Sequence, residues 1–225
     1  SAGNYDAIKH KFIAFDTETT GLSCDTDRIV ELGAVEFVDG RKISEFGTLV
    51  NPGIPISSQA TAVNNITNQM LKSAPDEPKA YGDFCTFFEK ALAGEVVVCA
   101  HNATFDMKFL AKTLERLGYS GNINYIDTLS LSRRMLKELP NHKQPTVAHY
   151  FGHVNAAEHR AESDAEVCGN ILVSLLQLME AEISDAKKEF QKKIPNEEEQ
   201  EYCAYIQRLM VNAGADSDWL KFYRN

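Results

Sequence analysis

No run of apolar residues in this chain approaches the roughly 20 needed to cross a bilayer. The opening stretch SAGNYDAIKHK also has no apolar segment of the kind a signal peptide carries. Cysteine is sparse and badly spaced for staples or zinc. Cys24, Cys85, Cys99, Cys168 and Cys203 are odd in number and form no C-x-x-C pair. The expectation is a cytoplasmic protein with reduced thiols and no membrane partner. Positive charge is short as well: 23 Lys and Arg face 32 Asp and Glu, a net charge of −9. Proteins that coat duplex nucleic acid are usually basic over the contact face, so the balance argues against a broad grip on a polyanion. It allows a small footprint in which divalent ions offset carboxylates. Arg133-Arg134 is a short pair that reads as a solvated helix face. His10, His101, His142, His149 and His153 form no metal-ligand spacing. Internal repeats and low-complexity linkers are lacking too.

What is present suffices for one good core with a small appendage, since 225 residues at 44% hydrophobic content are ordinary for a globular chain. The chain is organised around FIAFDTETTG, residues 12–21. Apolar Phe12 to Phe15 ends in Asp16, and Glu18 follows two residues on. Residues two apart in a strand share a face, so Asp16 and Glu18 should project side by side from a strand end. Paired, partly buried carboxylates resist joint ionisation. A hard cation such as Mg2+ or Mn2+ relieves that, because all-oxygen donors suit it.

Downstream, Arg28 to Val38 alternates in its later part and reaches Asp39-Gly40, a hairpin signal. Ile43 to Val50 returns and stops at Asn51-Pro52. Helices are expected at Ser58 to Asn64 and at Pro78 to Leu92. Glu95 to Ala100, with three consecutive valines, reads as a buried strand. The next helix buries Phe105, Phe109, Leu110, Leu114 and Leu117 and stops at Gly118. Asn124 to Asp127 gives a further strand, and Asp127-Thr128 caps a helix from Leu129 to Leu136. Pro145 opens a short helix to Phe151. A long helix after Arg160 buries Val167, Ile171, Leu175 and Leu178. The pattern predicts an α/β fold: a mixed central sheet, three antiparallel strands and then two parallel, flanked by helices. Past about Ala181 the composition turns charged and reads as a solvated connector, giving a division into residues 1–182 and 183–225.

Acidic residues recur at comparable places, namely Asp16 and Glu18, Asp106, and Asp164, with His159 five residues before the last. The blocks FDTETTG, HNATFD and HRAESDA, in this order, resemble the three motifs of the DEDDh exonucleases, the family of the proofreading epsilon subunit of bacterial DNA polymerase III. The resemblance runs from about Phe12 to Met179 and includes IVELGAV and Asp127-Thr128. It implies an RNase H-like fold and removal of nucleotides one at a time from a 3′ end. It further implies two ions held by Asp16, Glu18, Asp106 and Asp164, with His159 as general base. An imidazole with an unperturbed pKa of about 6.5 suits that task. Leu22 and Phe105 match the family's apolar contacts to terminal bases, and Thr19, Thr20 and Asn102 its sugar or phosphate contacts. Single-stranded or frayed DNA is the expected substrate, in proofreading or repair. An RNA 3′-end exoribonuclease and an inactive nucleic-acid-binding module on a polymerase are the alternatives.

The last stretch carries Tyr202, Tyr205, Ile206, Leu209 and Met210 at helical spacing, with Gly214 as a stop. It reads as a helical segment that packs back on the nuclease domain or docks a polymerase or further domain. Trp219, Phe222 and Tyr223 stand near an abrupt end, which leaves a truncated chain open.

Overall fold

The computed structural model describes residues 7–154, 159–193 and 218–222. A mixed sheet forms the middle layer. Strands β1 (Lys11–Thr19), β2 (Ile29–Val38) and β3 (Arg41–Leu49) are antiparallel neighbours, and β4 (Val97–Ala100) and β5 (Gly121–Asp127) continue parallel to β1. The order across the sheet is β3-β2-β1-β4-β5-β6. The β2–β3 turn uses Asp39 and Gly40 at φ 50° and 81°, the left-handed pair that a two-residue hairpin requires.

Helices cover both faces. They are α1 (Ser58–Asn64), α2 (Asn68–Lys72), α3 (Glu77–Phe87), α4 (Glu89–Leu92), α5 (Ala103–Arg116), α6 (Thr128–Met135), α7 (Gln144–Phe151) and α8 (Ala161–Lys193). Alternation along β1 assigns its residues to the two cores. Phe12 and Ala14 pack with Leu131, Val147, Ala165 and Ile171 of α6, α7 and α8. Ile13 and Phe15 pack with Tyr81, Phe84, Phe88 and Leu110 on the opposite face. The period of two therefore sends Asp16 and Glu18 toward α8, and Thr17 between them toward α5. A bulge between Glu18 and Thr19 then breaks the ladder and turns the chain away from the sheet.

Helix α8 is long and apolar enough, by length and composition, to cross a bilayer. Its apolar side is occupied instead: Val167, Cys168, Ile171, Leu172, Leu175 and Met179 are buried in the core against the sheet. It also runs to Lys193, through the charged stretch expected to be a connector. Charged residues on its outward side are compatible with a helix, so the shift in composition near Ala181 does not end it.

Other differences are local. Helix α1 is capped by Ser57, just outside the expected start, whose hydroxyl accepts from Ala60 N. Thr67 caps α2, which the sequence reading did not expect. The expected helix from Pro78 to Leu92 breaks at Phe88 into α3 and α4. Strand β2 is buried almost throughout, since both faces are covered, and it does not alternate with solvent. A sixth strand, β6 (Asp218–Phe222), pairs antiparallel with β5, Gly121 opposite Phe222 and Tyr125 opposite Asp218. The sequence offered no strand signal there: an open sheet edge supplies backbone partners that no local periodicity advertises. The expected helical stripe from Tyr202 to Met210 lies outside the described residues.

Candidate active site

The acidic residues meet at the C-terminal end of β1. Asp16 and Glu18 leave that strand on the α8 face, and Asp106 and Asp164 stand in the first turns of α5 and α8. Carboxylates are favoured at helix N-termini, so both helices aim a favourable dipole at the acidic cluster. Asp106 is only 4% exposed, and Thr17, reaching from the opposite face of β1, donates to its Oδ1 at 2.5 Å. Glu18, His159 and Asp164 each present a ligand atom within 4.8 Å of the others.

Crowding of like charge shows in the protonation of the cluster. Burial, then the charges of Asp106, Asp164 and Glu18, raise Asp16 well above the carboxylate range. Burial and the charge of Asp164 push Glu18 up to about 8. Burial pushes Asp106 up to about 7, although the Thr17 hydrogen bonds oppose it. One buried oxygen, Asp16 Oδ2, has no hydrogen-bond partner. A divalent cation fits this donor set. It would satisfy the orphaned oxygen and neutralise the repulsion, and carboxylate oxygens are donors it accepts.

The other expected residues are placed less uniformly. The Thr19 hydroxyl donates to Gly21 O at 2.6 Å, and the Thr20 hydroxyl donates to Asp27 Oδ1 at 2.9 Å. Both are built into the turn after β1, and Thr20 is buried. Leu22 is 87% exposed. It faces a cleft of about 410 Å³ that it shares with Cys24, Asn102, Phe105 and Lys108. Phe105 is half-buried with its ring 5.0 Å from that of Phe109. Asn102 is exposed in the left-handed region at φ 66°, and its N–H donates to Asp127 Oδ1 at 2.9 Å. A second cleft, of about 470 Å³, runs between α7 and α8 and is lined by Asp16, His101, Gln144, His149, His159 and Asp164.

Gln144, Glu31 and Arg160, which hold the site, escaped the sequence reading, whereas His101 stands in the second motif and supports it. Gln144 donates to Asp164 O at 2.9 Å. His101 bridges Thr128 Oγ1 at 2.9 Å and His142 O at 2.6 Å, tying the loop before α7 to the end of β4. Burial holds that imidazole below its usual pKa. Glu31 and Arg160 join β2 to the segment carrying His159. One signal was available for Glu31: it is the sole charged residue in IVELGAV, and a buried carboxylate needs a partner.

Clustered carboxylates at the end of the central strand of an RNase H-like sheet define a nuclease class. The chain belongs to the exonuclease family, described as RNase_T: Exonuclease, which matches residues 13–172. It is 36% identical over 174 residues to a DNA polymerase III PolC-type of Caldanaerobacter subterraneus subsp. tengcongensis, covering 77% of this chain and 12% of that protein. The chain thus spans about an eighth of the length of that relative. Exonuclease X, solved in complex with 5′ overhanging duplex DNA, superposes with a TM-score of 0.58 at 26% identity, over 74% of this chain and 90% of that one. Exonuclease I of E. coli, solved with a dA16 oligonucleotide, gives a TM-score of 0.64 at 15% identity, over 77% of this chain and 44% of that one, a likeness of fold.

Proposed function

We propose that the protein is a 3′–5′ exonuclease that removes nucleoside monophosphates from the 3′ end of single-stranded or frayed DNA, in proofreading or repair. The observation that carries this reading is the convergence of Asp16, Glu18, Asp106, Asp164 and His159 from three distant segments at one strand end. DNA is favoured by the polymerase relative and by the DNA complex of Exonuclease X. The net charge of −9 suits capture of a terminus better than coating of a duplex.

Asp16, Glu18, Asp106 and Asp164 would hold two Mg2+ or Mn2+ ions. When bound, such ions supply positive charge that stabilises the attacking and leaving oxygens of the phosphodiester. His159 takes the proton of the attacking water. Its exposed position beside Glu18 and Asp164 lets it meet the substrate and return the proton to solvent. Leu22 and Phe105 stack against the terminal bases across their shared cleft, a sequence-tolerant contact. Residues 1–182 would form the catalytic unit, and residues 183–225 would link it to a polymerase or further domain.

Linear and circularised single-stranded DNA of one sequence, incubated with Mg2+ or Mn2+, test the need for a terminus. The linear strand should be degraded to mononucleotides while the circle survives. Nicking of the circle at a comparable rate would refute the proposal.

A further inference from the structure

His159 and the start of α8 are held by a pair of residues outside the acidic cluster. His159 has φ 63°, a left-handed conformation that a non-glycine residue keeps only when its surroundings fix it. The next residue, Arg160, spreads its guanidinium over three anchors. Nε donates to His159 O at 2.8 Å, Nη2 donates to Asn64 O, and Nη1 lies 3.6 Å from Glu31 Oε2. Asn64 closes α1 and sends its side-chain amide to Thr19 O, next to Glu18, at 3.3 Å. Glu31 uses its other oxygen to accept from Ala161 N at 2.7 Å, satisfying a backbone donor at the start of α8. Gly33 makes room for that approach, because a Cβ there would come within 2.2 Å of the Ala161 backbone.

We propose that Glu31 and Arg160 are positioning residues for His159. Through Glu31, strand β2 fixes the start of α8. Through Arg160, the carbonyl of His159 is locked so that its imidazole faces Glu18 and Asp164. The planar guanidinium suits this task, since it bonds several carbonyl and carboxylate oxygens at fixed angles. This inference rests on the proton-transfer role proposed for His159, and on no direct contact of Glu31 with substrate.

Glu31→Gln tests it. The amide oxygen still accepts from Ala161 N, while an NH2 donor replaces the charged acceptor opposite Arg160. Turnover should fall by about 10–100-fold, the size expected when a reacting group is displaced by about 1 Å, with KM for a single-stranded oligonucleotide and Mn2+ affinity nearly unchanged. In a His159→Ala background the same substitution should cost almost nothing further, whereas a purely structural role would cost as much in both backgrounds. Arg160→Lys, which keeps the charge but loses the fork, should reproduce the defect and serves if Glu31→Gln melts below the assay temperature. The His159 imidazole resonance, assigned by its loss in His159→Ala, should shift in both variants. That signal separates the two ideas. A wild-type protein without nuclease activity but with a responding His159 would overturn the proposed function and leave the anchoring intact. Wild-type turnover with an unmoved resonance, or equal losses in both backgrounds, would overturn the anchoring.

Discussion

Thr17 and Asp106 are 89 residues apart in sequence and 2.5 Å apart in space. The hydroxyl of Thr17 points to the opposite face of β1 from Asp16 and Glu18, so one strand supplies two carboxylates and orients a third. Thr17→Val keeps the shape and removes the donor. Partners that orient a metal-ligating group typically contribute about 10–100-fold in affinity, so the variant should bind Mn2+ that much more weakly in calorimetry. It should remain folded by circular dichroism.

The raised carboxylates make the metal-free fold sensitive to alkali. Asp106 at about 7 and Glu18 at about 8 bind protons in the folded state at pH values where the unfolded chain, with carboxylates near 4, does not. The sign follows by linkage: their stabilising contribution is complete below about pH 4 and is lost as pH rises through about 7 to 8. Buried Glu31, raised by desolvation against the pull of Ala161 N and Arg160, acts in the same direction. Metal-stripped protein should therefore show a lower melting temperature at pH 8 than at pH 5.5. Mn2+ should raise that temperature more at pH 8, where it displaces fewer protons. Glu18→Gln should flatten the profile without metal.

Replacing His159 separates proton transfer from metal binding. Its side chain is exposed and His159→Ala leaves the four carboxylates in place, so Mn2+ should still bind. Loss of a general base costs about 10²–10⁴-fold in rate. Turnover should fall within that range.

Leu22 offers a test of substrate grip uncoupled from folding, since a side chain 87% exposed contributes little to the core. Leu22→Ala should raise KM for short single strands several-fold while leaving the melting temperature unchanged. Steady-state kinetics on oligonucleotides of matched sequence would measure it. An unchanged KM would remove Leu22 from the substrate contacts.

Strand β1 and the large helices were legible because their packing follows local periods, and the buried strands β2 and β4 because apolar runs stand between turn signals. Phe12 and Ala14 face one core and Ile13 and Phe15 the other, while α5 and α8 repeat apolar residues at helical spacing. The acidic residues were legible as motifs, and β1 brings Asp16 and Glu18 out on one face by period alone. What stayed hidden depends on distant partners. Glu31 looks like a strand residue until Ala161 and Arg160 are placed against it. The hydroxyls of Thr19 and Thr20 look available until the turn claims them. Strand β6 forms only because β5 offers an edge, and the break at Phe88 has no proline or glycine to announce it.

The most direct test is a time course on oligonucleotides labelled at the 5′ or the 3′ end, in DNA and RNA versions, with Mg2+ and with EDTA. The account predicts that the 3′ label is released at once as a mononucleotide and that the 5′ label passes through a descending ladder. DNA should be cut faster than RNA, and EDTA should abolish cutting. Release of the 5′ label first, or cutting that persists in EDTA or in Asp16→Ala, would contradict it.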